Sequence, residues 1–400
     1  MSQSVSCDVL IVGGGPAGLS VAAGLPDYVS SVVVHQDAEI GKPVRTSGGS
    51  FLKDVQALGI PDHLYRVMKR VEVFSDNEIA RFETRVNPPV ILDVTGTYRY
   101  LAGLSDHKNR QLFLETKLTG LRRVADGRYL ADVRSRTGKV ESISARYVVE
   151  ASGVQFAALR ALGLAVRPAR TGVGIEYEYP IGTTDPDRAV LFVGASVPAG
   201  YGWAFPTADD RLRLGVGVIR PDTDASPRDL MAALLAGPLP ARMGLDLSGD
   251  VHVNAGTVPS EPYDPSLVHG RVIRVGDTAN FATPTAGEGI RICIRHGLHL
   301  GEALGRALHL GRDTPLAAYE AACNRDLARN YRWGFAANRR IARYGPAEWD
   351  ASARRLARLN EAEFTALLRS EFGAGMVARA IWKSLRHKVM DLAGRDTGAG

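Results

Sequence analysis

Cysteine is scarce in this 400-residue sequence, which contains only Cys7, Cys293 and Cys323 and no C-x-x-C pair. Three scattered cysteines argue against a disulfide framework, which needs an even number, and against a cysteine-ligated metal site. We therefore expect neither a disulfide scaffold nor a bound metal ion.

Long apolar runs are also absent. The first six residues carry no basic side chain, and glycines at positions 13–15 interrupt the apolar run that follows. This is not the charged and then apolar pattern of a secretory signal, and no stretch reaches the roughly 18 apolar residues of a membrane span. The sequence therefore predicts a cytoplasmic protein.

Basic residues form no block along the chain. The 49 Lys and Arg residues exceed the 43 Asp and Glu residues, which gives a net charge of +6. No zinc-finger or helix-turn-helix pattern accompanies them, and a basic balance of this size is typical of a solvated surface. We expect no nucleic-acid partner.

A chain of this length is expected to form about two domains.

A glycine motif lies near the start of the chain. Residues 7–12 form an apolar run typical of a buried strand, and Gly13, Gly15 and Gly18 follow with G-x-G-x-x-G spacing before a helical stretch. The first glycine permits a tight turn, the second lets a pyrophosphate approach the backbone, and the third lets the helix pack on the strand. Phosphates bind well to the free N–H groups of a helix N-terminus. The motif predicts a dinucleotide site.

The carboxylate that usually binds the adenosine ribose, about twenty residues beyond the glycines, is missing at its expected position. Gln36 has suitable spacing and can hydrogen-bond a ribose, while Asp37 or Glu39 could substitute.

The glycine-rich loop at 41–49 carries Lys42 and Arg45. We interpret it either as a loop along the dinucleotide, with one cation near the phosphates, or as a surface turn.

The middle of the chain is rich in predicted strands. Residues 65–93 alternate apolar and polar side chains, residues 129–150 form a predicted hairpin turning near position 137, and residues 172–258 form a second β-rich region. A helix is expected to open at Tyr98. In the run at 200–206, alternation places Tyr201, Trp203 and Phe205 on one strand face, either as core or as a pocket wall.

The last third contains a strand, residues 271–275, that ends in Gly276-Asp277. Ligands bind at the carboxyl ends of parallel strands, so Asp277 is a candidate. The turn at 287–289 offers N–H groups at the next helix.

Residues beyond 314 are predicted to be helical, with breaks near 345 and 373. The stretch at 376–392 has the pattern of a basic amphipathic helix that packs on the protein or, alternatively, contacts anionic lipid.

Three separated stretches together resemble the FAD-dependent oxidoreductases of the p-hydroxybenzoate hydroxylase-like fold: the glycine motif, residues 151–153 and residues 275–290. Within that fold the chain looks most like the geranylgeranyl reductase family, through residues 41–45, 201–206 and 276–290. The family often has a cysteine where this chain has Thr46-Ser47, and Ser152 replaces an aspartate of the aromatic hydroxylase branch.

The resemblance implies roles for individual residues. Asp277 would contact the ribityl chain of FAD, the turn at 287–289 would lie by the isoalloxazine ring, and Arg99 would approach the phosphates. Tyr201, Trp203 and Phe205 would bind substrate, with Tyr201 as candidate proton donor. The candidate cofactor-binding residues are Gly13, Gly15, Ala17, Gly18, Gln36, Arg45, Gly48, Arg99, Asp277, Gly287, Gly289 and Ile290.

We therefore predict an α/β protein with a Rossmann-type FAD-binding domain (1–60, 96–170 and 265–312), interleaved with a β-sheet substrate domain (61–95 and 171–264) and followed by a C-terminal helical region (313–400). The predicted function is an FAD-dependent reductase that saturates carbon-carbon double bonds of a prenyl-like or other small apolar molecule. An FAD-dependent monooxygenase is the alternative, followed by a halogenase, whose Trp-x-Trp-x-Ile-Pro run is only partly matched, and by a non-catalytic flavin protein.

The source of electrons stays open at this point. Gly172 and Gly174 lack a third glycine at motif spacing, so the sequence contains no second dinucleotide fingerprint. Either NAD(P)H visits the flavin site transiently or a separate electron-donor protein supplies the electrons.

Overall fold

The computed structural model describes residues 3–136, 140–165 and 167–372. The predicted hairpin turn at 137–138 and the amphipathic stretch at 376–392 lie outside the described residues. No helix of the described ranges is long and apolar enough to cross a membrane.

The first sheet is mainly parallel. Its strands are β1 (Gln3–Val12), β2 (Ser31–Val34), β8 (Arg110–Phe113), β9 (Thr116–Arg123), β10 (Tyr129–Ser135), β11 (Val140–Glu150), β17 (Val268–His269) and β18 (Val272–Arg274). The parallel strands stand in the order β18-β11-β1-β2-β8, while β17 and the β9–β10 pair join as antiparallel strands. This is the predicted α/β fold class, and it is confirmed.

The second sheet is mainly antiparallel, and the third is small. The second contains β5 (Arg70–Phe74), β6 (Ile79–Glu83), β12 (Thr171–Pro180), β13 (Arg188–Gly194), β14 (Val197–Pro206), β15 (Arg211–Arg220) and β16 (His252–Pro259). Its order is β16-β12-β15-β14-β13-β5-β6. The third sheet contains β3 (Gly49–Phe51), β7 (Pro89–Leu92) and β4 (Tyr65–Val67). Segments far apart in sequence thus share one sheet, although the domain boundaries stay a prediction.

Ten helices are described. They are α1 (Pro16–Gly24), α2 (Leu52–Ala57), α3 (Val94–Leu104), α4 (Ala157–Ala161), α5 (Pro227–Ala236), α6 (Leu239–Arg242), α7 (Ile290–Leu310), α8 (Thr314–Ile341), α9 (Pro346–Leu356) and α10 (Glu361–Leu368). The start of α3 corrects the sequence prediction: the helix begins at Val94 rather than Tyr98, because the Asp93 side chain accepts a hydrogen bond from the Gly96 N–H and caps it.

The register of the first sheet brings its strand ends together. Val12 lies opposite Glu150 and Val34, and Glu150 lies opposite Arg274. The segments that follow these strands therefore meet at one edge of the sheet. This edge carries the glycine loop, the 151–153 turn and Gly276-Asp277, which are far apart in sequence.

Helices pack on both faces of the first sheet and on both faces of the second. α1, α7 and α8 bury one face of the first sheet around a core that includes Val9, Leu300 and Tyr319. On the second sheet, α5 and α6 pack against a core that includes Phe192 and Leu214. The other face of this sheet turns toward α8, α9 and α10, and the space between them is the substrate-sized cavity described below.

Candidate active site

A cavity of about 650 Å³ lies at the carboxyl edge of the first sheet. This volume is in the range of small-molecule and cofactor sites, about 300–1,000 Å³. Most of the predicted cofactor-binding residues line it. They are Gly13, Gly15, Ala17, Gln36, Arg45, Asp277, Gly287, Gly289 and Ile290.

The glycine loop forms one end of this cavity. Gly13 has a φ of +119°, and a Cβ atom there would lie 2.2 Å from the carbonyl oxygen of Ala151. A Cβ atom on Gly15 would meet nothing within 4 Å, so its backbone is open to a ligand. No side chain caps α1, which starts at Pro16, and its first N–H groups are free for an anion. This end fits a diphosphate.

Three predicted residues lie outside the lining of this cavity. Gly18 serves helix packing, because a Cβ atom there would lie 2.0 Å from the Gly13 carbonyl oxygen. Gly48 forms a turn with a φ of +83° against Leu92. The Arg99 guanidinium is 2.9 Å from Glu39 Oε2 in an exposed ion pair. The structure therefore does not bring Arg99 to the predicted phosphate end.

The region after β2 holds the candidates for ribose binding. Gln36 and Asp37 both line the cavity, whereas Glu39 is 52% exposed and outside it. Asp37 accepts two hydrogen bonds from Arg45, at 2.7 and 3.1 Å. His35 Nδ1 accepts from the Gly14 N–H at 3.2 Å, and burial lowers the pKa of this histidine. Of the three candidates, Gln36 and Asp37 are placed to contact a ligand.

Asp277 lines the cavity from the turn after β18. Burial raises the pKa of its carboxyl to about 6. No N–H or O–H group of the described residues donates to it, so the ionised carboxylate lacks the donors that would offset its desolvation. A ligand with several hydroxyl groups would supply them. The residues of this cavity thus fit FAD, from the diphosphate end to the polyol chain.

A second cavity of about 350 Å³ adjoins the first. The two share Arg45, Thr46 and the turn at 287–290 in their linings. The second cavity lies between the second sheet and the C-terminal helices. Its lining includes Tyr201, Trp203 and Phe205, as the strand alternation predicts, together with Phe335, Ile341, Leu356, Phe364 and Leu367. The three aromatic residues therefore face a cavity.

Trp203 lies flat against the sheet. A Cβ atom on Gly215 would be 2.2 Å from its ring, one on Gly217 3.3 Å and one on Gly174 3.4 Å. Only a hydrogen atom at Gly215 leaves room for the indole, and the two other glycines place the backbone of β12 and β15 close to it. The opposite face of the sheet is ordinary core, where the Phe192 ring of β13 covers Gly202 of β14.

A buried carboxylate fixes the indole. Trp203 Nε1 donates to Glu176 Oε2 at 2.7 Å, and Asn254 Nδ2 donates to Glu176 Oε1 at 3.3 Å. The Glu176 side chain is 5% exposed, and burial raises its pKa, opposed by Arg213 at 3.7 Å. Arg213 also donates to Glu178 at 2.8 Å. The charge network holds Trp203 in one orientation at the cavity wall.

Tyr201 bridges the aromatic wall and the shared turn. Its hydroxyl donates to the Ala286 carbonyl oxygen at 2.5 Å, and its ring packs tilted on Trp203 with centroids 5.7 Å apart. Burial raises the pKa of the phenol to about 12. Tyr201 therefore keeps its proton at neutral pH.

Hydrogen bonds and ion pairs attach the C-terminal helices to this turn. Thr285 Oγ1 donates to the Leu367 carbonyl oxygen at 2.9 Å, and Asn338 Nδ2 donates to the Pro284 carbonyl oxygen at 2.8 Å. Arg369 pairs with Asp54 and stacks 5.0 Å from the Phe51 ring centroid. These contacts make α8 and α10 part of the cavity wall.

Several site residues were missed by sequence reasoning. They are Glu176, Asn254, Tyr98, Cys293 and the helical residues beyond 335. Only Glu176 had a usable signal, as one of two carboxylates, with Glu178, in the predicted strand β12. Among the described residues, no group of three or more His, Cys, Asp or Glu side chains could hold a metal ion.

Comparison with known proteins supports a flavin site. The family model for the FAD binding domain matches residues 6–333. Digeranylgeranylglycerophospholipid reductase 1 of Methanothermobacter thermautotrophicus is 27% identical over 335 residues, which cover 80% of this chain and 83% of the relative. Digeranylgeranylglycerophospholipid reductase of Methanothrix thermoacetophila is 27% identical over 354 residues, 84% of this chain and 85% of the relative.

Solved structures share the fold at lower identity. A geranylgeranyl bacteriochlorophyll reductase-like protein from Thermoplasma acidophilum has a TM-score of 0.81 and 19% identity, covering 92% of this chain and 96% of that one. The p-nitrophenol 4-monooxygenase PnpA from Pseudomonas putida has a TM-score of 0.67 and 19% identity, covering 92% and 99%. The resemblance to geranylgeranyl reductases is confirmed. The chain belongs to the FAD binding domain family and is an FAD-dependent oxidoreductase.

Proposed function

We propose that this protein saturates carbon-carbon double bonds in a prenyl lipid, with FAD as its resident cofactor. The observation that carries the proposal is the meeting of two cavities at the 287–290 turn. One fits a dinucleotide, and the other is an apolar chamber walled by Tyr201, Trp203 and Phe205. The relatives named as reductases of digeranylgeranylglycerophospholipids support a polyprenyl substrate.

The chain's own residues would hold the cofactor as follows. The N–H groups at the start of α1 bind the diphosphate, Gln36 or Asp37 binds the adenosine ribose, and Asp277 accepts hydrogen bonds from the ribityl hydroxyls. Arg45 lines both cavities, and its guanidinium pairs with Asp37 at the ribose end. When bound, FAD in its reduced form supplies the hydride.

The aromatic wall would bind and orient the substrate. The surface of an isoprenoid chain is entirely apolar. Full burial of an apolar group as large as a valine or leucine side chain stabilises the bound state by about 1.5–3 kcal/mol. Trp203 and Phe205 present flat faces, and the leucines of α9 and α10 close the chamber on the opposite side. This enclosure also excludes water from the reacting double bond.

Saturation requires a hydride on one alkene carbon and a proton on the other, so that the double bond becomes a single bond and two C–H bonds form. Tyr201 is the proposed proton donor. Its phenol is protonated at neutral pH and donates its single proton to the Ala286 carbonyl oxygen. Transfer to the alkene therefore requires the hydroxyl to turn from Ala286 toward the substrate. A pKa near 12 makes it a weak acid, so we expect transfer to the substrate to be late and concerted with a developing carbanion.

The electrons come either from NAD(P)H at the flavin site or from a reduced electron-donor protein. The described residues contain one dinucleotide cavity, so a nicotinamide would have to share it rather than occupy a separate domain.

Product analysis tests the proposed function. Holoenzyme with bound flavin reduced by dithionite would be incubated without oxygen with digeranylgeranylglyceryl phosphate, and the lipid analysed by mass spectrometry. We expect a mass gain of one H₂ for each saturated double bond. A parallel aerobic incubation that gives an oxygenated lipid, with no product in the anaerobic sample, would instead establish a monooxygenase.

A further inference from the structure

The outer face of α8 carries a line of exposed arginines. At 3.6 residues per turn they lie on one side of the helix, with a gap of seven residues between Arg332 and Arg339, and they span about 22 Å from Arg325 to Arg340 at 1.5 Å per residue. The line continues into the turn that follows the helix. Its members are Arg325, Arg329, Arg332, Arg339, Arg340 and Arg343. We call this the arginine stripe.

The stripe is not neutralised by the described residues. None of the six guanidinium groups forms an ion pair with a carboxylate of the described ranges. The two acids of α8 point elsewhere: Glu320 accepts from the N–H groups of Leu267 and Val268, at 2.8 Å each, and Asp326 lies 3.9 Å from His296. The positive charge of the stripe is therefore available to a partner.

The same helix forms a wall of the apolar cavity. Phe335, Asn338 and Ile341 of α8 line the cavity. Asn338 and Ile341 lie on the side of the helix away from the stripe, and Phe335 lies at its flank. At the margin of the stripe, Trp333 is 46% exposed. Tryptophan with one apolar face and one polar edge is favoured at the boundary between water and lipid headgroups.

We propose that the arginine stripe docks this protein on a bilayer surface that carries anionic phospholipid. Clusters of four to eight basic residues on an amphipathic helix bind such surfaces, and each is worth about 1 kcal/mol near the membrane. Docking through α8 sets the cavity wall directly above the lipid that holds a prenyl substrate. The inference rests on the proposed function for its purpose, but the docking itself needs neither substrate nor turnover.

Charge complementarity alone would also suit an acidic electron-transfer protein. Trp333 and the shared apolar wall favour the membrane, because a protein that only delivers electrons has no need of the substrate chamber. The two partners are separable by experiment.

The test is co-sedimentation of the full-length holoenzyme with vesicles. Vesicles of phosphatidylcholine with one quarter phosphatidylglycerol would be compared with pure phosphatidylcholine vesicles, at low and at high salt. The test variant is R332Q/R339Q/R340Q/R343Q. The matched control is R123Q/R228Q/R306Q/R312Q, which removes the same charge from exposed arginines that form no ion pair among the described residues.

We expect the wild type and the control variant to bind the anionic vesicles, and salt to weaken the binding. The stripe variant should lose at least about tenfold in partition coefficient, with flavin content and melting temperature unchanged. Equal losses in both variants, or equal binding to neutral vesicles, would overturn the proposal. The proposal would also be overturned if the stripe variant bound vesicles as well as the wild type does but no longer bound an acidic ferredoxin.

Failure of this test leaves the reductase activity to be judged separately. The stripe variant should reduce a detergent-solubilised prenyl lipid at the wild-type rate, because none of the four arginines lines either cavity.

Discussion

Substitutions of Trp203 distinguish most clearly between a residue of the cavity wall and an ordinary core residue. Replacing it with phenylalanine keeps an aromatic ring on the glycine floor of Gly174, Gly215 and Gly217 but removes the N–H that donates to the buried Glu176 carboxylate. The loss of a hydrogen bond to a charged acceptor costs about 1.5–3 kcal/mol. Glu176 limits this cost by taking up a proton, since burial already raises its pKa.

Trp203→Ala removes the ring as well. Truncation of a fully buried tryptophan costs about 3–5 kcal/mol of stability, and Trp203 is only half-buried because one face lines the cavity, so we expect the lower end of this range. Without this face the substrate loses about 1.5–3 kcal/mol of binding, or about 10–150-fold in kcat/KM. The assays are thermal unfolding and anaerobic flavin reoxidation by the lipid.

Phe192 is the matched control, because its ring covers Gly202 on the opposite face of the same sheet and lines neither cavity. Phe192→Ala should cost about 3–5 kcal/mol of stability and leave kcat/KM of the folded fraction unchanged. If Trp203→Ala behaved in the same way, with a large stability loss and unchanged kinetics, Trp203 would belong to the core and the substrate site would be unassigned.

Other substitutions test the remaining parts of the site. Asp277→Asn should weaken FAD binding and abolish its pH dependence. The wild-type apoprotein holds a proton on Asp277 up to about pH 6, whereas the unfolded chain loses it near pH 4. The stability of the apoprotein should therefore fall as the pH rises from about 4 to about 6. Over the same range the affinity for FAD should rise by up to about tenfold per pH unit, and it should level off above about pH 6. Flavin fluorescence titrations from pH 4 to 8 would reveal a flat profile if Asp277 does not bind the cofactor. Tyr201→Phe should slow alkene reduction by about 100-fold while leaving flavin content and the rate of flavin reduction intact, and an unchanged rate would remove Tyr201 as the proton donor. Gly215→Ala should tilt the indole, because the new methyl group would lie 2.2 Å from it, and should change the preferred chain length of the lipid more than the melting temperature; equal kinetics for all chain lengths would contradict this. Glu176→Gln should raise KM with little change in kcat, and an effect on kcat alone would argue against a positioning role.

Local chemistry explains what the sequence predicted well. Spacing along the chain predicts that Gly13, Gly15 and Asp277 lie at a turn or a strand end, and all three line the first cavity. Their roles toward the cofactor stay predictions. The alternation of Tyr201, Trp203 and Phe205 likewise predicts a shared strand face. None of these inferences needs knowledge of distant contacts.

The parts that were missed depend on distant contacts. Trp203 lies flat only because Gly215 of β15 leaves room for it, and Glu176 reaches it from β12. Arg99 was matched by position, yet an ion pair with Glu39 holds it outside the cavity. The arginine stripe escaped notice because its residues are spaced through α8 and form no block in the sequence.

The central claim is that reduced flavin in this protein gives its electrons to a prenyl double bond, and anaerobic reoxidation measures this directly. Holoenzyme would be photoreduced without oxygen and mixed with digeranylgeranylglyceryl phosphate or with its fully saturated counterpart, while the absorbance of oxidised flavin is followed. The account predicts that the unsaturated lipid restores this absorbance and the saturated lipid does not. Flavin that stays reduced with both lipids and reoxidises only when oxygen is admitted would contradict it.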